Sequence, residues 1–243
     1  MKLFDEVIAQ MRACLPESPD LSSEYSPTLC APEGDKNAIL FRGDMAYELG
    51  GSGKASVSSV LFCELPDEND EVLVYGKDLY ALTSDTPFAH LTFVQLKDGR
   101  EEQLRYEQLK TISFCLFQLY PQGYHIRVSP SAGKEQVRVA KTALTANPPL
   151  SFLNVGCSLI RLLKTQPEVA AVKTVFITAE TVDYASLAAL ARKAKQITDA
   201  VQHTLEESSL DCASCKMKPI CDEVEGLREL HFKKEKERKP HES

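Results

Sequence analysis

The chain has 243 residues and a formal net charge of −7, and 43% of its residues are hydrophobic. This length suits one large core, or one domain with a small appendage. The excess of acidic residues argues against nonspecific electrostatic binding to nucleic acid. No tract is apolar over the roughly 18 residues that a membrane span needs. Asp5 and Glu6 near the N-terminus are also atypical of a signal peptide. We therefore expect a cytoplasmic protein that binds neither nucleic acid nor a membrane.

The first half of the chain predicts a helix, a linker and a run of strands. Phe4, Ile8 and Met11 share one side of a helix over residues 1–14, and the prolines and serines that follow predict a linker as far as residue 37. Apolar runs bounded by polar residues predict strands at residues 38–41, 57–65, 72–75 and 88–96.

Helices and strands alternate in the second half, which favours the α/β class, with α+β as the alternative. Ser151 and Asp183 are placed to cap the helices that follow them. The predicted elements are a helix at residues 101–119, strands at 124–128 and 136–139, a helix from 152, a strand at 171–178 and a helix from 184. We expect a mixed sheet with packed helices and a C-terminal cysteine hairpin. The predicted units are residues 1–37 (helix and linker), 38–206 (α/β domain), 207–232 (cysteine hairpin) and 233–243 (charged tail).

Three of the eight cysteines lie singly in apolar runs, namely Cys63, Cys115 and Cys157. A free cysteine in such a run behaves as a small hydrophobe, so we expect these three in the core. The even cysteine count does not predict disulfides in a chain of this size and inferred compartment.

A second set of cysteines forms the pattern Cys-x2-Cys-x5-Cys with Cys212, Cys215 and Cys221. Thiolates at this spacing suit an iron–sulfur cluster or zinc. His231 is the candidate fourth ligand, and Asp211, an outlying cysteine or a partner chain are the alternatives. A redox-active dithiol or a cysteine-rich turn without a ligand also stays open.

Two weaker signals concern anions. Arg127 and Arg138 fall on adjacent predicted strands, with Lys141 just beyond, and arginine forks bind phosphate or carboxylate well. We list these three residues as a candidate anion site. The glycine-rich residues 49–54 lack the spacing of a phosphate-binding loop and predict a turn. His90 lies in a strand pattern and is interpreted as a half-buried residue with its polar groups satisfied.

Four runs resemble the β subunit of the carbon monoxide dehydrogenase/acetyl-CoA synthase complex. The run Arg-Gly-Asp-Met-Ala-Tyr-Glu-Leu-Gly at residues 42–50 is similar to a Gly-Asp-Met-x-x-Glu-Leu run in that family. Residues 72–79, 137–143 and 152–156 resemble later stretches in the same order. The resemblance spans about residues 38–222 and implies a shared central domain in an anaerobic protein of one-carbon or corrinoid metabolism.

The cysteine spacing departs from that family. Cys212 and Cys215 match its first Cys-x-x-Cys, but Cys221 follows after five residues where the family has eight, and His231 stands where it has a fourth cysteine. The later Cys-Gly-Cys that holds nickel has no counterpart in these residues. The resemblance therefore implies an accessory protein with a simpler metal site, not acetyl-CoA synthesis, and we assign no reaction.

Two other classes of function stay open. In one, the cysteine segment is a zinc-stabilised interaction module that docks a protein partner or a complex subunit. In the other, the chain is an enzyme that binds coenzyme A or another anion near Arg127 and Arg138. Association with a second copy of the chain is compatible with either.

Overall fold

The computed structural model describes residues 2–97, 108, 111–112, 114–115, 118–129, 133–206, 212, 214–224, 226–227 and 229–230. Its strands are β1 (Leu21–Glu24), β2 (Met45–Leu49), β3 (Ser56–Phe62), β4 (Glu71–Tyr75), β5 (Phe88–Leu96), β6 (Tyr124–Ser129), β7 (Lys134–Ala140) and β8 (Val169–Ile177). Its helices are α1 (Asp5–Ala13), α2 (Lys141–Leu144), α3 (Phe152–Leu163), α4 (Tyr184–Glu206) and α5 (Lys218–Glu223). The helix predicted at residues 101–119 lies mostly outside the described residues, and those described from 108 to 115 are helical.

Five strands form a mixed sheet in the order β1-β4-β8-β5-β3. The pairs β4–β8 and β3–β5 are parallel, whereas β1–β4 and β5–β8 are antiparallel. A second, antiparallel sheet has the order β2-β7-β6. It joins the edge of the first sheet where the Ser58 N–H on β3 donates to the Gly133 carbonyl at 2.8 Å. The predicted α/β class and mixed sheet are confirmed.

Side chains alternate across the large sheet and define two packed faces. Phe176 on one face stacks on Phe152 at the start of α3, with ring centroids 4.7 Å apart, and the small sheet covers the β3–β5 side of the same face through Glu135. On the opposite face, the Arg12 guanidinium of α1 lies over the Phe93 ring. α4 packs beside α1 and on β3. The large sheet is therefore buried between two layers.

Both predicted helix caps are present. The Ser151 hydroxyl accepts a hydrogen bond from the Asn154 N–H at 3.2 Å, and the Asn154 side chain accepts one from the Ser151 N–H at 3.1 Å, which completes a capping box before α3. The Asp183 carboxylate accepts from the N–H groups of Ala185 and Ser186 at the start of α4. Short polar side chains satisfy the first free N–H groups of a helix, which explains why these starts were predictable.

One strand prediction for the first half was wrong, and two strands were missed. Residues 38–41 form no strand, and Ile39 and Phe41 are 77% and 68% exposed. Strand β1 was missed because it contains two serines and only half-buries its alternate residues beside β4. Strand β2 was missed because it lies in a run that carries charged as well as apolar residues. In the two missed strands, sheet pairing overrode local composition, whereas the apolar residues 38–41 lack a strand partner.

Candidate functional site

The cysteine segment, residues 212–221, begins six positions after α4 ends and reaches into α5. Cys212 is exposed, whereas Cys215 and Cys221 are half-buried. Pro219 occupies the first turn of α5, where a missing N–H costs nothing. The three thiols therefore lie on one short surface segment, two before α5 and one within it.

The chain turns sharply at Cys215. The Met217 N–H donates to the Cys215 sulfur at 3.4 Å, and the Lys218 N–H donates to the Cys215 carbonyl at 3.2 Å. Backbone N–H groups directed at cysteine sulfurs are among the contacts that tune iron–sulfur clusters. The turn at Cys215 therefore already supplies one such backbone contact to the sulfur.

Apolar residues within and after the cysteine segment hold it against the body of the protein. Ile220 lies in the segment, Leu227 and Leu230 follow it, and all three are buried in the main core. Lys193 on α4 pairs with Glu223 at 2.8 Å and with Glu6 on α1 at 3.7 Å. A hydrogen bond with Glu223 raises the pKa of Lys193. The candidate metal site is therefore attached to both α1 and α4.

The singly placed cysteines have a different environment. Burial raises the pKa of Cys63 to about 11, and it also raises the pKa values of Cys115 and Cys157. All three are buried, which confirms their predicted core role. A buried thiol that stays protonated packs as a hydrophobe and is a poor metal ligand.

The donor chemistry of the cysteine segment suits a thiophilic metal, but the ligand set is not closed. The described residues contain no group of three His, Cys, Asp or Glu side chains arranged to hold a metal ion. His231 and Asp211, two candidates for the fourth ligand, lie outside the described residues. Binding by all three thiols therefore requires a local rearrangement of the segment.

The predicted anion residues separate into a pair and an outlier. Arg127 on β6 and Arg138 on β7 lie on paired strands, with His125 directly opposite Arg138. The Arg138 Nε donates to Glu48 on β2 at 2.9 Å. The Lys141 ammonium instead donates to the Gly43 carbonyl at 2.8 Å. Lys141 is therefore bound elsewhere, and only the two arginines share a surface.

The two arginines line a groove of about 640 Å³ between β6 and residues 33–40. His125 and Tyr120 also line it, and sequence reasoning missed both. The position of His125 could have been predicted from the sequence. It is two residues before Arg127, and strand alternation places both on one face. Burial lowers the pKa of His125.

The interior contains a hydroxyl–imidazole–carboxylate chain. His90 Nδ1 lies 2.9 Å from the Glu135 carboxylate, and His90 Nε2 lies 2.9 Å from the Thr174 hydroxyl. The Ser58 hydroxyl also donates to Glu135, at 3.1 Å. His90, Glu135 and Thr174 are each at most 2% exposed, so no substrate reaches them and the chain is structural. The prediction that His90 has satisfied polar groups is confirmed, but its side chain is buried rather than half-buried.

Comparison with protein-family models gives no match to this chain, and comparison with curated proteins gives no significant match. Within the part of the chain that the structure describes, no helix has the length and apolar character needed to cross a bilayer.

Proposed function

We propose that this chain is an accessory protein that binds an iron–sulfur cluster, or else zinc, through Cys212, Cys215 and Cys221. The observation that supports this most is the turn at Cys215, where a backbone N–H is directed at the sulfur. A cysteine used only for packing does not need that bond. An iron–sulfur cluster would supply one-electron transfer, and zinc would supply a structural crosslink.

The roles of the three thiols differ in this proposal. Cys215 and Cys221 are half-buried near α5 and would hold the metal against the protein, whereas the exposed Cys212 would close the site from the solvent side. Three thiolates leave one coordination position for His231 or for a partner protein. An incomplete ligand set on a surface segment is compatible with docking to a partner, so we expect a complex subunit.

The metabolic context of the proposal rests on the resemblance alone. The runs at residues 42–50 and 137–143 fall on β2 and β7, which pair with each other in the small sheet. Residues that resemble one family and lie side by side support an acetyl-CoA synthase β-subunit-like domain. One-carbon or corrinoid metabolism, in an anaerobic cell, is the setting that we infer from it.

The test is metal content and absorption of protein purified without oxygen. Wild type is compared with Cys212→Ala and Cys215→Ala, and Cys30→Ala is the matched control because Cys30 is also half-buried but lies outside the segment. Iron and sulfide with a broad band near ~400 nm, lost in the first two variants and kept in the control, support the cluster. Stoichiometric zinc with the same pattern selects the structural role. Metal that is absent from wild type, or equally present in all four proteins, contradicts the proposal.

A further inference from the structure

The groove beside β6 is lined by both cationic and apolar side chains. β6 and β7 contribute Arg127 and Arg138, and residues 33–40 contribute charged side chains together with the apolar Ile39 and Leu40. A volume of about 640 Å³ is within the range of small-molecule sites. The groove is far along the chain from the cysteine segment and uses none of its residues.

The two arginines are arranged as a pair. Arg138 lies opposite His125, and Arg127 is two residues further along β6, so the arginines are diagonal neighbours on one sheet face. Side chains in that relation are about 7–8 Å apart at their bases, within reach of one shared anion. Glu48 holds the Arg138 Nε and orients its guanidinium, whose terminal nitrogens have no partner among the described residues. Arg127 is exposed and has no ion pair in the described part of the chain.

The acidic side chains of the groove have their own contacts. Glu33 forms an ion pair at 3.6 Å with Arg161, which does not line the groove. Asp35 accepts a hydrogen bond from the Asn37 N–H at 2.8 Å within its own turn. Lys36 adds a third cation to the lining. Glu48 neutralises part of the charge of Arg138. Arg127 and Lys36 therefore provide most of the positive charge, and Arg138 provides N–H donors in a fixed orientation.

The groove also exposes apolar surface. Ile39 is 77% exposed and Tyr120 is 41% exposed, and both line the groove. Single exposed apolar residues are ordinary, but an aliphatic and an aromatic side chain in the same groove as two arginines are complementary to an amphiphilic molecule.

We propose that this groove binds a small organic phosphate, with Arg127 and Arg138 on the phosphate and with Ile39 and Tyr120 against its apolar body. A phosphate monoester carries close to two negative charges at neutral pH, which matches two guanidinium groups better than a carboxylate does. His125 lies beside the arginines and offers one further N–H to a phosphate oxygen.

Phenyl phosphate is the probe, measured by calorimetric titration of the full chain at low salt. Wild type should bind it at least about tenfold more tightly than Arg127→Gln does, because a hydrogen-bonded charge is lost. Lys134→Gln is the matched control, since Lys134 is an exposed cation on the same face of β7 outside the groove. It should bind like wild type.

Three further titrations identify what is recognised. Inorganic phosphate should bind more weakly than phenyl phosphate, and Ile39→Ser should reduce the preference for the phenyl ester. Benzoate should bind less well than phenyl phosphate if the charge match is correct. The proposal is overturned if wild type gives no binding heat with phenyl phosphate, or if Arg127→Gln and Lys134→Gln weaken binding equally. Neither outcome bears on the metal proposal, because the groove and the cysteine segment share no residue.

Discussion

The Glu135 carboxylate lies between the two sheets and is 2% exposed. Its oxygens contact His90 Nδ1 and the Ser58 hydroxyl, and its backbone N–H and carbonyl both bond to the Ser56 hydroxyl. A buried carboxylate is tolerated only when such partners replace water. Glu135 therefore links β7 to β3 and β5. The stability of this link depends on each of its hydrogen-bond partners.

Removing only His90 or only Glu135 should lower the free energy of unfolding more than removing both. We expect His90→Leu to lower the free energy of unfolding by about 3–5 kcal/mol, because Glu135 stays buried without its main partner. The double variant His90→Leu/Glu135→Leu should recover part of that loss. Urea unfolding of wild type, both single variants and the double variant gives the coupling energy. Strictly additive losses would contradict the proposed dependence.

Asp78 gives the protein a pH dependence of defined sign. Burial raises the pKa of Asp78 above its ordinary 3.8, against the opposing effect of hydrogen bonds from the Phe152 and Leu79 N–H groups. Between 3.8 and the raised folded-state pKa, the folded protein holds more protons than the unfolded chain. This stabilising contribution is complete below the unfolded value and is lost as the pH rises through the folded value.

We therefore expect the stability of Asp78→Asn, relative to that of wild type, to increase as the pH rises. Asparagine keeps an oxygen for the two N–H groups but carries no charge to bury. Urea unfolding of both proteins from about pH 4 to about pH 8 should show their difference in unfolding free energy shift in favour of the variant. A difference that stays constant over this range would mean that Asp78 does not titrate abnormally.

At the scale of elements, α3 lies unusually close to the large sheet. Gly156 faces β4 and β8, and a Cβ atom there would lie 2.5 Å from a Val72 methyl and 3.1 Å from the Phe176 ring. Contacts under 3.0 Å require a shift, so glycine at this position sets the distance between helix and sheet. The stacking of Phe152 on Phe176 depends on the same close approach.

Gly156→Ala should destabilise the protein although alanine is the better helix former. The overpacked Cβ should lower the free energy of unfolding by about 1–3 kcal/mol. The better helix propensity of alanine should return at most about 1 kcal/mol of that loss. Val72→Ala in the same chain should relieve the clash, so the double variant is expected to be more stable than the sum of the two single losses predicts. Thermal and urea unfolding provide the comparison. A stabilised Gly156→Ala would show that the helix moves freely away from the sheet.

At the scale of the whole molecule, one core includes both ends of the described chain. Leu3 and Phe4 near the N-terminus belong to the same buried cluster as Leu227 and Leu230 after the cysteine segment. The surface ion pairs of Lys193 connect the same two regions. The cysteine segment is therefore followed by residues that are part of the fold rather than by a detached appendage.

Packing, not charge, should hold that C-terminal region in place. Leu227→Ala is expected to cost about 2–5 kcal/mol, since Leu227 is 1% exposed. Lys193→Met should change stability by no more than about 1 kcal/mol, because its acidic partners are more than half exposed. Proteolysis after residue 206 reports local release of the region, and urea unfolding reports the global effect. Equal losses in the two variants would assign the charge a larger role than we infer.

The sequence determined features that depend on near neighbours. Strand β5 was predicted at its observed bounds, and the caps of α3 and α4 were identified from Ser151 and Asp183. The buried environment of Cys63 followed from the apolar residues around it. Alternation, helical periodicity and capping involve residues only a few positions apart, so they are visible along the chain. The placement of Arg127 and Arg138 on neighbouring strands was also predictable, because their strands are consecutive.

Only the tertiary structure decided the rest. Glu135 is 45 residues from His90, and Thr174 is 84 residues from it, so no spacing in the sequence indicates their contact. The groove depends on residues 33–40 lying beside β6, and the exposure of Ile39 depends on the lack of a strand partner there. Local pattern states which residues prefer burial, but sheet order decides which of them meet. That order is fixed by the packing of the whole core around one mixed sheet.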